Sequence, residues 1–442
     1  MALIGVLMAP AADVAGLNVA GLSLVERQAR LLRRAGCTTL LLVGAEPLTP
    51  VPEGVELVPI PSLPGRLAGA GTAQVMLVSP GVVLDERAVK ALAAIDGPAI
   101  LVSNGQLLPA GVERMDAATL AAGLMRLPAR QLAETARTIG DWDLGSTLIR
   151  LLAADVAVTR LPLESLETYA ADRRREVPLL WARPMDAEAA RAAGDAIIAQ
   201  AQKGCLDWPA RFLHPPVEDT LVRLLAPTAI TPNMVTLFAA ALGVAAGAAL
   251  ATGHLWWGLL LAILCGPLDG VDGKLARTRI EFSRWGDLEH VLDKLLEYGW
   301  YLCAAFWFSQ SHGGLAWALA ALIILPALAE AVQGEFYRRM TGTQLDDAGP
   351  FERQVRLVAG RRNTFLWSWL AFAAMGLWFQ GFVMIAAYSV LTTALAQWRF
   401  YVRLGQFARH GDARVAANYA ATRYDFLPVA KPQSEHLPKP PL

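Results

Sequence analysis

The stretch Leu268-Asp269-Gly270-Val271-Asp272-Gly273-Lys274-Leu275-Ala276-Arg277, followed at 286–294 by Gly286-Asp287-Leu288-Glu289-His290-Val291-Leu292-Asp293-Lys294, decides how the rest of the chain is read. Asp269 and Asp272 are three residues apart, and Glu289 and Asp293 are four apart, so on helices each pair shares a face. The first pair closes one apolar run and the second opens the next, which makes the two helices neighbours joined by a short turn. Bare carboxylates gathered at an apolar boundary repel one another and lose hydration, at several kcal/mol each. One or two divalent cations remove that penalty, and carboxylate oxygens suit Mg²⁺, Mn²⁺ or Ca²⁺. Gly270 and Gly273 strip side chains from one helix face, so that a ligand can approach the backbone. Any one of these acids alone reads as a solvated helix-end residue. The whole set, with two glycines and Ala276-Arg277, reads as a site.

Outward from this stretch, six apolar runs approach the length needed to cross a ~30 Å hydrocarbon core. They lie near 234–252, 255–275, 290–309, 314–337, 364–379 and 381–403. The turns at Gly253-His254, Gln310-Ser311-His312 and Gln380-Gly381 carry no Lys or Arg. The opposite side holds Lys274, Arg277, Arg279 and Arg284, then Arg338, Arg339, Arg353, Arg356, Arg361 and Arg362, then Arg403 and Arg409. An even number of spans with that asymmetry places both termini in the cytoplasm. The guanidinium groups of Arg353, Arg356, Arg361 and Arg362 suit a phosphorylated acceptor or lipid headgroups, or they serve topology alone. Glu297 and Glu330 fall inside apolar runs and need partners, and Lys294 is placed to pair with Glu297. Trp256, Trp257, Trp300 and Trp307 read as interfacial or packing aromatics. Ahead of the first run, Phe212-Leu213, Val217, Leu221, Val222, Leu224 and Leu225 alternate with Arg211, Glu218, Asp219 and Arg223 at helical spacing. That is the pattern of a helix at the membrane surface, or of an ordinary amphipathic helix.

Residues 1–200 are of another kind, mixing charge, Gly and Pro. Leu3–Met8, Thr39–Val43 and Gln74–Val78 read as strands that alternate with helical patterns such as Ser23–Ala35 and Glu86–Ala94. That order favours a parallel sheet covered on both faces. Ala187–Gln202 reads as the last helix before the junction. The expected organisation is an α/β domain over 1–203, a juxtamembrane helix within 204–230, a membrane domain over 231–405 and an irregular polar tail over 406–442. The chain as a whole is 55% hydrophobic and 18% charged, too apolar for a soluble enzyme of 442 residues. Zero formal net charge argues against nucleic acid as a partner. Cys37, Cys205, Cys265 and Cys303 lack metal-type spacing and read as structural thiols. The N-terminus lacks a basic region followed by an apolar core and a cleavage site, so no signal peptide is expected.

Asp269-x-x-Asp272-Gly273-x-x-Ala276-Arg277-x8-Gly286, then an acid, x-x-x and Asp293, resembles the signature of the CDP-alcohol phosphotransferases. Thr231-Pro232-Asn233-Met234-Val235-Thr236 is similar to a second stretch common in that family. The resemblance covers about 205–405. It implies an α-helical six-span membrane bundle, usually homodimeric, with a cytidine nucleotide and two metal ions, Mg²⁺ or Mn²⁺, between the second and third spans. It also implies a CDP-alcohol donor, an alcohol acceptor, release of CMP, and a multi-pass place in the inner (cytoplasmic) membrane with the active site cytosolic. By this resemblance Asp269, Asp272, Glu289 and Asp293 hold metal, and Asp269, Gly273, Ala276 and Arg277 line the nucleotide site. Asp293 is the implied general base, and since Asp is a weak base, a nearby metal must also acidify the acceptor hydroxyl. One departure stands out. The family has its third aspartate four after the glycine and four before the last aspartate, but here those positions are His290 and Glu289. Glu289 keeps the helical spacing to Asp293, while His290 is the alternative ligand.

Gly21-Leu22-Ser23-Leu24-Val25-Glu26-Arg27 and Ala35-Gly36 resemble the nucleotidyltransferases. The two-part arrangement is similar to archaeal fusions of inositol-phosphate cytidylyltransferase with di-inositol-phosphate phosphate synthase. Ala9-Pro10-Ala11-Ala12 stands where that family has a Gly-rich phosphate loop, and Ser79-Pro80-Gly81 stands where it has a metal-binding Gly-Asp. The domain therefore reads as degenerate, left to regulate, dimerise or dock. Two rivals remain: a bifunctional enzyme that makes its own CDP-alcohol, and a metal or phosphate-compound transporter, for which inverted repeats are lacking.

Overall fold

The structure, a computed structural model, describes residues 2–44, 51–105, 112–283, 286–342 and 344–410, with the backbone alone at 286–290 and 410. The described chain forms two compact units. One comprises 2–204, 214–239 and 267–289, and the other 205–213, 240–266 and 290 onward.

In the first unit, seven strands form one sheet: β1 (Leu3–Met8), β2 (Thr39–Val43), β3 (Glu56–Val58), β4 (Gln74–Val78), β5 (Ala99–Ser103), β6 (Leu120–Pro128) and β7 (Thr159–Pro162), in the order β7-β5-β6-β4-β1-β2-β3. The central strands are unbroken apolar runs because both their faces are covered, with Leu41, Val75 and Leu77 in one core and Leu7, Leu42 and Met76 in the other. The expected parallel sheet is in fact mixed. β6 runs antiparallel to both β4 and β5. The chain reaches β6 through a tight turn at Arg114–Thr119, where Asp116 Oδ1 accepts from the N–H groups of Ala118 and Thr119 at 2.8 Å. A parallel return needs a longer crossover, usually a helix. Strand order reverses at β1, and the carboxyl ends of β1 and β4 open onto a cavity of about 510 Å³ that includes Met8, Ser79 and Pro80.

Helix α1 (Leu24–Arg34) starts at Ser23, whose hydroxyl accepts from the Glu26 N–H at 3.2 Å. Helix α2 (Glu86–Ala93) follows β4, and helix α3 (Ala187–Gln200) ends the α/β part. The single juxtamembrane helix read from sequence is two, α4 (Trp208–Phe212) and α5 (His214–Leu225), which meet ahead of Pro215-Pro216.

Six further helices carry the apolar sequence: α6 (Pro232–Ala251), α7 (Leu255–Arg279), α8 (Gly286–His312), α9 (Gly314–Thr341), α11 (Arg362–Ala374) and α12 (Trp378–His410), with the short α10 (Pro350–Val358) between α9 and α11. Four of these, α6, α7, α9 and α12, are long and apolar enough to cross a membrane. The charges Asp293, Lys294 and Glu297 lie in the first half of α8. Helix α11 has 13 residues, about 20 Å, less than a hydrocarbon core. The second unit's core joins Leu259, Trp300, Ala304, Ile323, Trp369 and Phe382, and Trp300 Nε1 donates to the Gly243 carbonyl at 2.7 Å. The last turn lies at Met375–Leu377 rather than at Gln380-Gly381, because Gly376 takes φ +74° there. Gly381 is glycine for another reason: a methyl group on it would strike the Trp369 indole.

Glu352 on α10 is 4% exposed and ties that helix to α12. It accepts from Arg399 Nε at 2.9 Å, Arg403 Nε at 2.8 Å and Arg403 Nη2 at 2.7 Å. Burial pushes its carboxyl up, but the two guanidinium groups outweigh burial and hold it at about 2, below the usual 4.5. A depressed folded pKa stabilises above the unfolded value and is lost as pH falls from about 4.5 to about 2. Glu352→Gln should remove an acid-dependent contribution on the order of 2–3 kcal/mol, seen as thermal unfolding whose pH slope flattens below pH 4.5.

Candidate active site

Asp269 and Asp272 lie in the C-terminal half of α7, as the spacing requires. Asp272 is 2% exposed. Its Oδ2 accepts from Thr236 Oγ1 at 2.7 Å and its Oδ1 from the Gly273 N–H at 2.5 Å. Thr236 belongs to the first turns of α6, where Pro232 occupies the opening position and Thr231 Oγ1 accepts the Met234 N–H at 3.3 Å. The segment Thr231–Thr236 therefore starts one helix and reaches the acidic motif of the next. Sequence reading matched both stretches to one family without seeing this bond between them.

The bare helix face expected for a ligand is occupied. The Glu218 carboxylate of α5 lies on Gly270, where a methyl group would overlap it. At Gly273, the Arg277 guanidinium covers the backbone, with Nη1 3.3 Å from where a Cβ would be. Both glycines serve close side-chain packing. Lys274, counted among the topology charges, is 1% exposed, with Nζ 2.6 Å from Asp219 Oδ1 and 3.1 Å from Glu218 Oε2. Burial pushes the Glu218 carboxyl up against the pull of Lys274. Arg277 Nε donates to the Ala201 carbonyl at 2.7 Å, and Arg279 Nη1 to those of Thr228 and Ile230 at 3.2 and 2.8 Å. These cations are helix residues held within the protein, not loop charges. Ala276 is half-buried beside them.

In the second unit, Asp293 Oδ1 on α8 stands 3.7 Å from Arg362 Nη1 at the start of α11. Lys294 donates to Glu297 at 2.8 Å, the pairing its spacing suggested. Glu330 accepts from Thr393 Oγ1 at 2.5 Å. The arginines expected to offer an open phosphate surface are matched by acids: Arg353 with Asp347 at 2.7 Å, Arg356 with Asp346 at 3.0 Å and Asp207 at 3.7 Å, and Arg361 with Asp346 at 3.8 Å. Asp207 also caps α4 through the Ala210 N–H at 3.2 Å and accepts from Asn363 Nδ2 at 3.3 Å. Nothing in the sequence spacing marks Asp207 or Asp346 as partners of that loop. The side chains of Glu289 and His290, the two alternatives for the third ligand, lie outside the described residues. Among the described residues no group of three His, Cys, Asp or Glu side chains is placed to hold a metal.

Residues 229–394 match the family described as CDP-alcohol phosphatidyltransferase, a stretch that begins just ahead of α6 and includes both Asp272 and Asp293. These residues form a CDP-alcohol phosphatidyltransferase domain. Among curated proteins, the bifunctional IPC transferase and DIPP synthase of Aquifex aeolicus is 25% identical over 177 residues, 40% of this chain and 40% of that protein. The phosphatidylinositol phosphate synthase of Corynebacterium glutamicum is 24% identical over 213 residues, 48% of this chain and 90% of its own. Inner membrane protein YnjF of Escherichia coli is 36% identical over 115 residues, 56% of its length. The match thus spans less than half of the Aquifex protein and most of the Corynebacterium one. CDP-alcohol phosphatidyltransferase sequence accordingly accounts for the membrane part of the chain, and 1–228 lie outside the family match.

Proposed function

We propose that the chain is an integral membrane CDP-alcohol phosphotransferase that moves a substituted phosphate from a CDP-alcohol to a hydroxyl acceptor and releases CMP. The observation that carries this reading is the buried, hydrogen-bonded Asp272 inside the matched domain, one helical face from Asp269. In this reading α8 and α11 are the remaining two of six spans, the Lys- and Arg-bearing ends face the cytoplasm, and the enzyme is a homodimer in the inner membrane.

A carboxylate donor set of Asp269, Asp272, Asp293 and Glu289 suits a hard divalent cation such as Mg²⁺, with His290 as the alternative, nitrogen ligand, and the two fixed bonds on Asp272 fit a ligand held in one rotamer. When bound, the metal supplies charge neutralisation for the diphosphate and acidifies the acceptor hydroxyl. Asp293 takes the acceptor's proton, and Arg362, 3.7 Å away, orients that carboxylate. Ala276 and Arg277, whose guanidinium covers Gly273, line the nucleotide together with Asp269. Arg356 and Arg361, shared with Asp346, are cations that a phosphorylated acceptor recruits by displacing an acid. Relatives named phosphatidylinositol phosphate synthases favour a CDP-diacylglycerol donor and a phosphorylated polyol acceptor. In 1–203, Pro10 lacks the N–H that a phosphate loop needs at the end of β1, which supports a domain without nucleotidyl transfer.

The test is CMP release by purified full-length protein given CDP-diacylglycerol and candidate polyol phosphates. Activity should require Mg²⁺ or Mn²⁺ and vanish with a chelator. Asp293→Asn should lower kcat by at least about a hundredfold with little change in KM for the donor. Metal-independent CMP release, or an unaffected Asp293→Asn variant, would refute the assignment.

A further inference from the structure

We infer that the first unit contains an oxyanion site, adjoining the carboxylate motif through Arg277, built by Arg27 of α1, Arg173 of the loop before α3 and Arg277 of α7 around a small cavity. The cavity is about 60 Å³, lined by these three arginines together with Leu31, Leu180 and Ile280. At the ~10–15 Å³ needed per water-sized sphere it holds roughly four or five of them, the size of one phosphate group.

The charges make the case. Arg27 is 3% exposed, and its bonds go to main-chain carbonyls, Nη2 to Val19 at 3.0 Å and to Thr278 at 2.9 Å. Its Nε is buried without a partner. Arg277 likewise spends its Nε on the Ala201 carbonyl, and Arg173 spends Nη1 on the Gln200 carbonyl at 3.2 Å. Arg173 Nε is buried without a hydrogen bond, 3.4 Å from the carboxylate of Asp172, which is itself 63% exposed. Two acids also line the cavity, but both are committed elsewhere: Asp85 to Arg87 at 2.8 Å, and Glu86 to Arg34 at 2.7 Å and Lys90 at 2.6 Å. Three guanidinium groups thus line one cavity, their hydrogen bonds going to main-chain carbonyls; Asp172 is the acid beside Arg173, and Arg277 also feels the charges of Asp272 and Glu218. Burying like charges so is costly unless an anion joins them. Guanidinium forks match the oxygens of a phosphate, so the ligand is a phosphate-sized oxyanion, either free or as the phosphate of a small molecule such as the nucleotide product. The inference does not depend on the phosphotransferase reading. Arg277 belongs to the proposed nucleotide lining as well, so Arg173, which the catalytic proposal does not use, carries the test.

Purified full-length protein would be titrated in EDTA with inorganic phosphate, with CMP, and with chloride at matched ionic strength, following tryptophan-detected thermal unfolding and equilibrium dialysis of radiolabelled phosphate. Chelation keeps the metal-dependent site out of the measurement, and the Asp272→Asn background removes it further. Saturable phosphate binding is expected, with Kd raised at least tenfold in Arg173→Gln and at least threefold in Arg173→Lys, which keeps charge but loses the fork. Stronger binding of CMP than of phosphate assigns the source as a nucleotide, and the reverse assigns free phosphate. Absence of saturable binding, an equal shift by chloride, or unchanged binding in both Arg173 variants would overturn the site.

Discussion

Asp272→Asn should cut CMP release by about a thousandfold or more while the protein folds as before. The two halves of this expectation come from the same two bonds. Asp272 accepts at both oxygens, from the Thr236 hydroxyl and from the Gly273 N–H. Asparagine keeps its one oxygen for the Gly273 N–H and turns its amide toward Thr236. The Thr236 hydroxyl already lies 3.2 Å from the Pro232 carbonyl, so its proton can go there while its lone pairs accept the new amide. The volume is unchanged, and the cost is the second amide N–H, which Thr236 does not take up. Thermal unfolding should therefore shift by about 1–3 kcal/mol, short of unfolding the protein. What is lost is one full negative charge from the set proposed to hold the metal. Residual activity above a tenth of wild type would remove Asp272 from that set, and loss of folding would show that its charge is structural.

Much of this could be read from the chain, for physical reasons that vary from place to place. The four helices that can cross a membrane were legible because length and hydropathy are properties of a single segment. The acidic pairs were legible because helical spacing alone puts Asp269 and Asp272 on one face. Partners from distant segments were not. Glu218 looks like the polar face of an amphipathic helix, yet it is buried on Gly270, 52 positions away in sequence. Gly381 looks like a turn, but it is a packing glycine under Trp369, and the turn lies at Gly376. Strand β6 carries Gly123 and Arg126 in an apolar run, and its antiparallel direction depends on the turn at Asp116, which a strand pattern does not encode. Positive-inside counting used Lys274, Arg277 and Arg279 for topology alone and carried no information on the partner each reaches inside the fold. The arginine loop shows the same limit: its phosphate-binding look ignored Asp207 and Asp346, which reach it from elsewhere in the chain.

Lys274→Met should destabilise the first unit by about 3–5 kcal/mol. Methionine fills nearly the same space, so packing is not the cause. Lys274 is the cation within hydrogen-bond reach of both Glu218 and Asp219, at 3.1 and 2.6 Å. Asp219 is partly exposed and can turn to water, but Glu218 is 4% exposed and pinned against Gly270. His214 Nδ1 lies 4.0 Å away, and Arg277 acts on Glu218 by its charge alone. Removing the ammonium group leaves a buried carboxylate that must either take up a proton or pull α5 off α7. A double-mutant cycle separates these outcomes from a simple packing defect. Adding Glu218→Gln to Lys274→Met removes the orphaned charge, so more than half of the lost stability should return in chemical unfolding. Glu218→Gln alone should cost less than Lys274→Met, because it leaves Lys274 with Asp219. If the double variant is as unstable as the sum of the singles, the charge pair does not hold the juxtamembrane helix to the acidic helix, and the fit of Gly270 against Glu218 is packing alone.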